Sequence, residues 1–269
     1  MNLQPNSPKT ARMSLHSPHW SKCGATFALL VTVGLSRLAG QGGPPMITDD
    51  PGTPGDKKWE VNIAWSDQRT PGLTQVGLPL LDANYGVGDR IQINYQSQWE
   101  INDDDQGSRA GLGDAQFAVK WRFYDAGEHG WQASMYPRIT FLTPGTHSDE
   151  RGLADDSKQF LMPFEVTRDF GMFSMGFDCG HIFSTRSNED GWMGGIIVGR
   201  EIAKGWELDA ETHLNASNRL DRTECIVNFG SRIDFSEHVT LLLALGRDTS
   251  DHLGPRSSLL SYVGLQFRF

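Results

Sequence analysis

Between Trp59 and Phe269 apolar and polar residues alternate one for one along run after run of the chain. In residues 90–100, RIQINYQSQWE, Ile91, Ile93, Tyr95 and Trp99 fall on one side. Gln92, Asn94, Gln96, Gln98 and Glu100 fall on the other. Residues 206–215 set Trp206, Leu208, Ala210, Thr212 and Leu214 against Glu207, Asp209, Glu211, His213 and Asn215. Residues 114–123 and 259–269 repeat the pattern. A period of two belongs to β-strands whose two faces meet different surroundings. Divided at turn residues, the runs predict about twelve strands, near 59–66, 76–87, 91–101, 112–124, 131–142, 159–168, 172–183, 192–201, 206–215, 225–235, 239–247 and 258–269.

A soluble antiparallel sheet alternates too, with its apolar face turned to a second sheet. Two features point to lipid instead. Tryptophans fall at strand ends (Trp59, Trp99, Trp121, Trp131, Trp192, Trp206), where the rims of membrane barrels carry aromatic girdles. The connections also alternate in length. Tight turns read at Gly88–Arg90, Ala126–Gly130, Asp169–Gly171, Ala203–Gly205 and Ser236–His238. Longer polar loops read at Asp67–Gln75, Asn102–Gly111, Thr143–Lys158, Ser184–Asp190, Ala216–Glu224 and Asp248–Ser257. The expectation is therefore an all-β fold: one antiparallel transmembrane β-barrel with short periplasmic turns, longer extracellular loops and both termini periplasmic. The last strand ends Val263, Leu265, Phe267, Phe269 at alternate positions. Phe267 and Phe269 resemble the C-terminal signal read by barrel-assembly machinery, an expected partner together with outer-membrane lipid and lipopolysaccharide.

Composition agrees. The chain has 269 residues, of which 38% are hydrophobic, and its mean hydropathy is -0.41. A helical membrane protein would carry several apolar runs of about 20 residues; only one stretch, near the N-terminus, approaches that. A net charge of -9 without a basic face excludes nucleic acid as a partner. Cys179 and Cys225 fall on non-neighbouring strands, so no disulfide is expected.

The N-terminus reads as a targeting segment. Lys9, Arg12 and Lys22 precede the apolar run Cys23–Leu35, which has the length of a signal-peptide core. The expected division is a cleaved signal over 1–40, a Pro/Gly-rich periplasmic leader over 41–58 that could lie across the barrel mouth, and the barrel over 59–269. Met13 is an alternative start, and a retained N-terminal helix is the competing reading. The address implied is the outer membrane of a Gram-negative bacterium.

From Ile47 the chain reads ITDDPGTPGDKKWEVNIAW, followed by LLDANYGVGDRIQINYQ, GLGDAQFAVKWRFYD and a closing GLQFRF. In this order and spacing the blocks resemble the outer-membrane barrel family named for transport in the meta-pathway of phenol degradation, over roughly residues 46–269. The resemblance implies a barrel, passage of small, aromatic or hydrophobic molecules, and no catalytic residues.

In such a barrel the polar face lines the interior. The inward charges Glu100, Lys120, Arg122, Glu207, Asp209, Glu211, His213 and Arg232 are the candidates for electrostatic selection of a small-molecule solute. Hairpin geometry sets Lys120 opposite Asn94, Arg122 opposite Gln92 and Arg232 opposite Glu207. The polar interior reads either as a water-filled channel or as a set of mutually paired side chains with no open path. Two other classes stand beside a channel. A membrane hydrolase would use His213 with Ser217, spaced four apart where the lipid A deacylase pattern has two. A structural barrel would transport nothing. Asp103–Asp105 and Asp155–Asp156 offer carboxylates to Ca²⁺ or lipopolysaccharide-bridging cations, but read first as solvated loop tips. No cofactor, catalytic residue or metal site is expected.

Overall fold

The computed structural model describes residues 42–127, 129–186, 189–250 and 256–269. The signal-peptide expectation for residues 1–40 lies outside them. Each alternating run forms a strand. The first six are β1 (Trp59–Thr70), β2 (Leu73–Val87), β3 (Ile91–Asp104), β4 (Gly107–Asp125), β5 (Trp131–Met135) and β6 (Arg138–Leu142). Then come β7 (Gln159–Asp169), β8 (Ser174–Ser184), β9 (Gly191–Ala203), β10 (Trp206–Ser217), β11 (Thr223–Asp234), β12 (Val239–Asp248) and β13 (Leu259–Arg268).

β5 and β6 are two halves of one stave. Both pair with β4 on one side and β7 on the other, and the break falls at Tyr136–Pro137, where proline lacks the N–H a ladder needs. The barrel thus has twelve staves, each antiparallel to its neighbours. It closes where β1 meets β13, from Glu60 opposite Arg268 to Arg69 opposite Leu259. Closure leaves no unpaired sheet edge, the condition for strands to cross a bilayer.

The two faces are inverted relative to a soluble protein. Ile63, Ile93, Phe117, Phe164, Phe177, Ile196, Phe229, Leu245 and Leu265 are exposed on the outside, while Asp82, Lys120, Glu165, Asp178, Asp209, Glu211 and Arg232 are buried on the inside. Trp59, Trp121, Trp131 and Trp206 ring the turn end, and Trp192 stands at the loop end.

Some strands run further than alternation indicated. At Asp67–Gln75 and Asn102–Gly111, where longer loops were expected, β1–β2 and β3–β4 continue as paired hairpins joined only by Pro71–Gly72 and Asp105–Gln106. Above the apolar band both faces meet water, so alternation lapses while backbone pairing continues. Gly72 closes the first hairpin at φ 82°, open to glycine at little cost. This moves the β3–β4 register: Lys120 stands opposite Gln92, and Asn94 opposite Ala118, correcting the expected Lys120–Asn94 pair. Arg122 accordingly lies past Gln92, its N–H donating to the Arg90 carbonyl. The turn is centred earlier than 107, and a bulge between Ser97 and Trp99 adds one residue. Arg232 does stand opposite Glu207.

Apolar packing inside the barrel is sparse. Among the described residues it gathers around Met46, Ile197 and Ala244, with Tyr262 against them. Met46 precedes β1, so this packing joins the leader to the wall strands β9, β12 and β13.

Candidate functional site

Residues 42–54 form a strap that enters the lumen from the turn end, reaches its middle and returns. Its local shape follows from two prolines. The Gly43 N–H donates to the Thr48 carbonyl at 2.8 Å and the Met46 N–H to the Gly43 carbonyl at 2.9 Å, closing a tight loop around Pro44 and Pro45. Neither proline has an N–H, so this stretch is rich in carbonyls and poor in donors. Arg232 supplies the complement: its Nη2 donates to the carbonyls of Gly42, Gly43 and Pro44 at 3.0, 2.8 and 3.1 Å. Its Nη1 is held by Asp209 at 2.9 Å.

The next residues present the opposite polarity. The N–H groups of Ile47 and Thr48 both donate to the Glu211 carboxylate, at 2.9 and 2.8 Å. The Asp49 N–H donates to Asp178 at 3.2 Å. The Asp49 carboxylate in turn accepts from Lys120 at 2.8 Å and from Arg138 at 3.4 Å. Lys120 also donates to the Asp50 carbonyl. Glu165 completes this cluster from the wall, 3.5 Å from Lys120 and 3.7 Å from Arg138, with Ser134 donating to it at 2.6 Å. The Tyr136 ring lies 4.5 Å from both cations. Beyond Asp50 the strap descends: Thr53 donates to the Asp89 carbonyl and the Lys57 N–H to the Gly86 carbonyl, after which β1 begins.

Burial matches these bonds. Thr48 is 0% and Lys120 3% exposed. Burial alone would raise the Asp49 carboxyl, but Lys120 and Arg138 outweigh it and hold that group below its ordinary value. Asp50 lacks an equal share of those cations, and burial raises it. Room for the strap comes from wall glycines. A methyl group at Gly195 would overlap Thr48 Oγ1, and one at Gly230 would overlap Met46 Sδ.

The strap leaves space around it. Toward the loop end lie cavities of about 780 and 290 Å³, which share Gln75, Gln98 and Glu100 in their linings. A cavity of about 350 Å³ runs beside the strap, from Glu60 and Gln266 to Gln96 and Gln116, which it shares with the 780 Å³ cavity.

Most charges singled out from the sequence converge on this strap. Lys120, Asp209, Glu211 and Arg232 grip it directly or through one another. Glu207 is buried opposite Arg232. His213, 2% exposed, faces the Gly195 gap beside Thr48. Two residues lie apart. Arg122 is at the turn end, donating to the Asp89 carbonyl and 3.5 Å from Asp125, and Glu100 belongs to the loop-side cavities. Phe267 lies on β13, and the Phe269 backbone exchanges two hydrogen bonds with Trp59 at the closing seam.

Sequence reasoning passed over Glu165, and it set the leader over 41–58 at the barrel mouth, whereas residues 42–50 reach the Glu211 and Lys120 side chains inside the lumen. Glu165 is a single acid between Phe164 and Val166, a weak signal. Asp49 and Asp50 precede Pro51–Gly52, a combination common in turns; here the Asp49 carboxylate and the Asp50 carbonyl meet Lys120. The pairing suggested for a hydrolase is not made. Ser217 donates to Asp221 at the β10–β11 hairpin, and no hydrogen bond joins it to His213 among the described residues. Asp155 and Asp156 are both engaged by Arg186.

A closed antiparallel barrel of twelve staves, apolar outside and polar within, defines the chain as a transmembrane β-barrel. Solved structures share the fold. An outer membrane channel from Pseudomonas putida F1 superposes with a TM-score of 0.63 at 12% identity, covering 82% of this chain and 98% of that one. The KdgM porin superposes with a TM-score of 0.53 at 9% identity, covering 77% and 99%, and the NanC porin with 0.52 at 9%, covering 78% and 98%. No family model matches the chain, and no curated protein matches it in sequence.

Proposed function

We propose that this chain is an outer-membrane channel for small molecules, closed in the described state by residues 42–54. The observation that carries this reading is the way the strap is held. Within the lumen it is bound by side chains and ion pairs, and it takes no place in the sheet. It can therefore leave without unpairing a strand. A barrel filled only for stability would need no separable segment. It could close its lumen with wall side chains, as small barrels do.

The turn end is then periplasmic and the loop end extracellular, by the usual arrangement of such barrels. The strap enters from the periplasmic side, consistent with a leader that follows a cleaved signal over 1–40. Buried charge with no partner is costly, so withdrawal of the strap requires water to enter and solvate Lys120, Arg138 and Arg232. That wetted lumen is the conducting state. Each charge-assisted bond contributes about 1.5–3 kcal/mol before water replaces it. A net preference of about 3 kcal/mol for the closed state would leave the open state populated at about 1%.

The charges first read as a selectivity set, Lys120, Glu207, Asp209, Glu211, His213 and Arg232, act in this reading as the seat of the gate. They line the path only once the strap has left. The aromatic or hydrophobic solute implied by the family resemblance meets little apolar surface on this route. The larger loop-side cavity is lined mainly by amides and carboxylates. A polar solute fits it better. No observation favours an enzymatic role.

Planar-bilayer recording of the purified, detergent-folded protein tests the reading. Rare, brief steps are expected, becoming frequent when strap contacts are removed. A heat-modifiable barrel that stays silent in every strap variant would make it a non-conducting structural protein.

A further inference from the structure

We infer that the loop-side cavity is a binding antechamber for small organic cations, ammonium compounds in particular, a proposal that rests on the channel reading and specifies its solute class. Three independent observations point there. The first is charge: six carboxylates, Glu100, Asp114, Asp149, Glu150, Asp155 and Asp156, line the cavity against a single arginine, Arg186. Arg186 is already shared between Asp155 and Asp156.

The second is hydrogen-bond polarity. Asn102 is 4% exposed; its amide nitrogen donates to the Gly152 carbonyl at 2.8 Å, which fixes its orientation. Its Oδ1 has no partner among the described residues, nor has Asp114 Oδ1, and both residues line the cavity. Both unpartnered atoms are acceptors. The amide nitrogens of Gln75 and Gln98 each give one N–H to Glu100, and their oxygens remain as acceptors. A ligand rich in donors suits this lining, and an ammonium group has three donors and no acceptor.

The third is size. At about 780 Å³ the cavity has the volume of a small-molecule site and far exceeds that of a metal ion. The carboxylates fall on both the barrel wall (Glu100, Asp114) and the loop after β6 (Asp149–Asp156). A ligand with a cation at each end of a short chain would meet both. The cavity shares Glu100 with the smaller one that borders Pro45 and Ile47 of the strap. A cation concentrated in the antechamber therefore waits directly above the gate.

The test is calorimetric titration of the folded protein in detergent with putrescine, beside N,N′-diacetylputrescine, which keeps the chain and loses both charges. Saturable putrescine binding is expected, weakened by added salt, with none by the diacetyl compound. Asp114→Asn keeps the shape of the side chain and should weaken binding about fivefold, the upper range for a partly solvated charge pair. The Glu100→Gln, Asp114→Asn double variant should weaken it further. Heat-modifiability on gels verifies that each variant is folded. Equal binding of the two compounds, or no binding of putrescine by the folded wild type, overturns the inference. Binding at equilibrium needs no open pore, so this result is independent of whether the barrel conducts. Conduction without putrescine binding would leave the channel standing and remove the antechamber.

Discussion

Lys120 of β4 donates to the carboxylate of Asp49 at 2.8 Å, across 71 positions of sequence, inside the lumen, where the Lys120 side chain is buried and that of Asp49 largely so. This contact joins the wall of the barrel to the segment that occupies it. Arg138, Glu165 and Asp178 gather around it, so the middle of the barrel is a network of paired charges with the strap as one of its members.

Removing one partner of a buried pair leaves the other uncompensated, at about 3–5 kcal/mol. Lys120→Met should thus favour withdrawal of the strap and shift the open–closed equilibrium at least about a hundredfold by the lower figure, from about 1% open to about half. Single-channel open probability measures this. A heat-modifiability control separates opening from misfolding, because Glu165 also loses its cation.

Overlap at the glycines gives a steric route to the same state. Gly195→Ala sets a methyl group against Thr48 Oγ1, with Asp178 and His213 closing the other sides. Overpacking of this kind costs about 1–3 kcal/mol, so open probability should rise about tenfold. Gly230→Ala should do less, because it meets the flexible end of Met46.

The Asp49 contact has a defined pH window. Its carboxyl is held below the ordinary value of 3.8 in the closed state and regains that value once the strap is released into water. The contribution to closure is therefore fully present above 3.8 and is lost as pH falls through the depressed closed-state value. The gap in open probability between wild type and Asp49→Asn should persist at about pH 5, above the ordinary value of Asp49, and vanish only in strong acid. No gap at any pH would show that Asp49 is not ion-paired.

On the outside, Phe229 is exposed in the middle of β11. Phe229→Arg should destabilise the barrel in lipid vesicles by about 2–4 kcal/mol, the cost of a cation near the bilayer midplane. Trp206→Arg, at the turn-end rim, should cost about 1 kcal/mol or less. Equilibrium denaturation in vesicles compares them.

The barrel was legible because alternation is a local property. Ile91, Ile93 and Tyr95 against Gln92, Asn94 and Gln96 state their two environments outright; of the charges picked out with them Glu100, Lys120, Glu207, Asp209, Glu211, His213 and Arg232 are buried, while Arg122 is partly exposed at the turn end. β9 carries its phase less openly. Gly191, Met193, Gly195 and Ile197 face inward with almost no polar mark, because this part of the wall is hollowed for the strap. A leader at the barrel mouth was legible from its prolines and glycines, but its depth in the lumen was not. Its luminal contacts join residues 42–50 to partners beyond position 110, and Asp49, Asp50, Pro51 and Gly52 look the same in a surface turn. Loop ends were misjudged for a third reason: Arg69, Thr74, Asn102 and Arg109 are polar, yet lie in paired strands above the apolar band.

The central claim is that residues 42–54 close a passage. The most direct measurement replaces residues 43–50 with a glycine-serine linker of equal length and compares single-channel conductance with the wild type. The account predicts a folded barrel with long-lived openings in the variant and brief, infrequent ones in the wild type. Equal conductance and equal dwell times in the two proteins would contradict it, since the strap would then lie outside the conducting path.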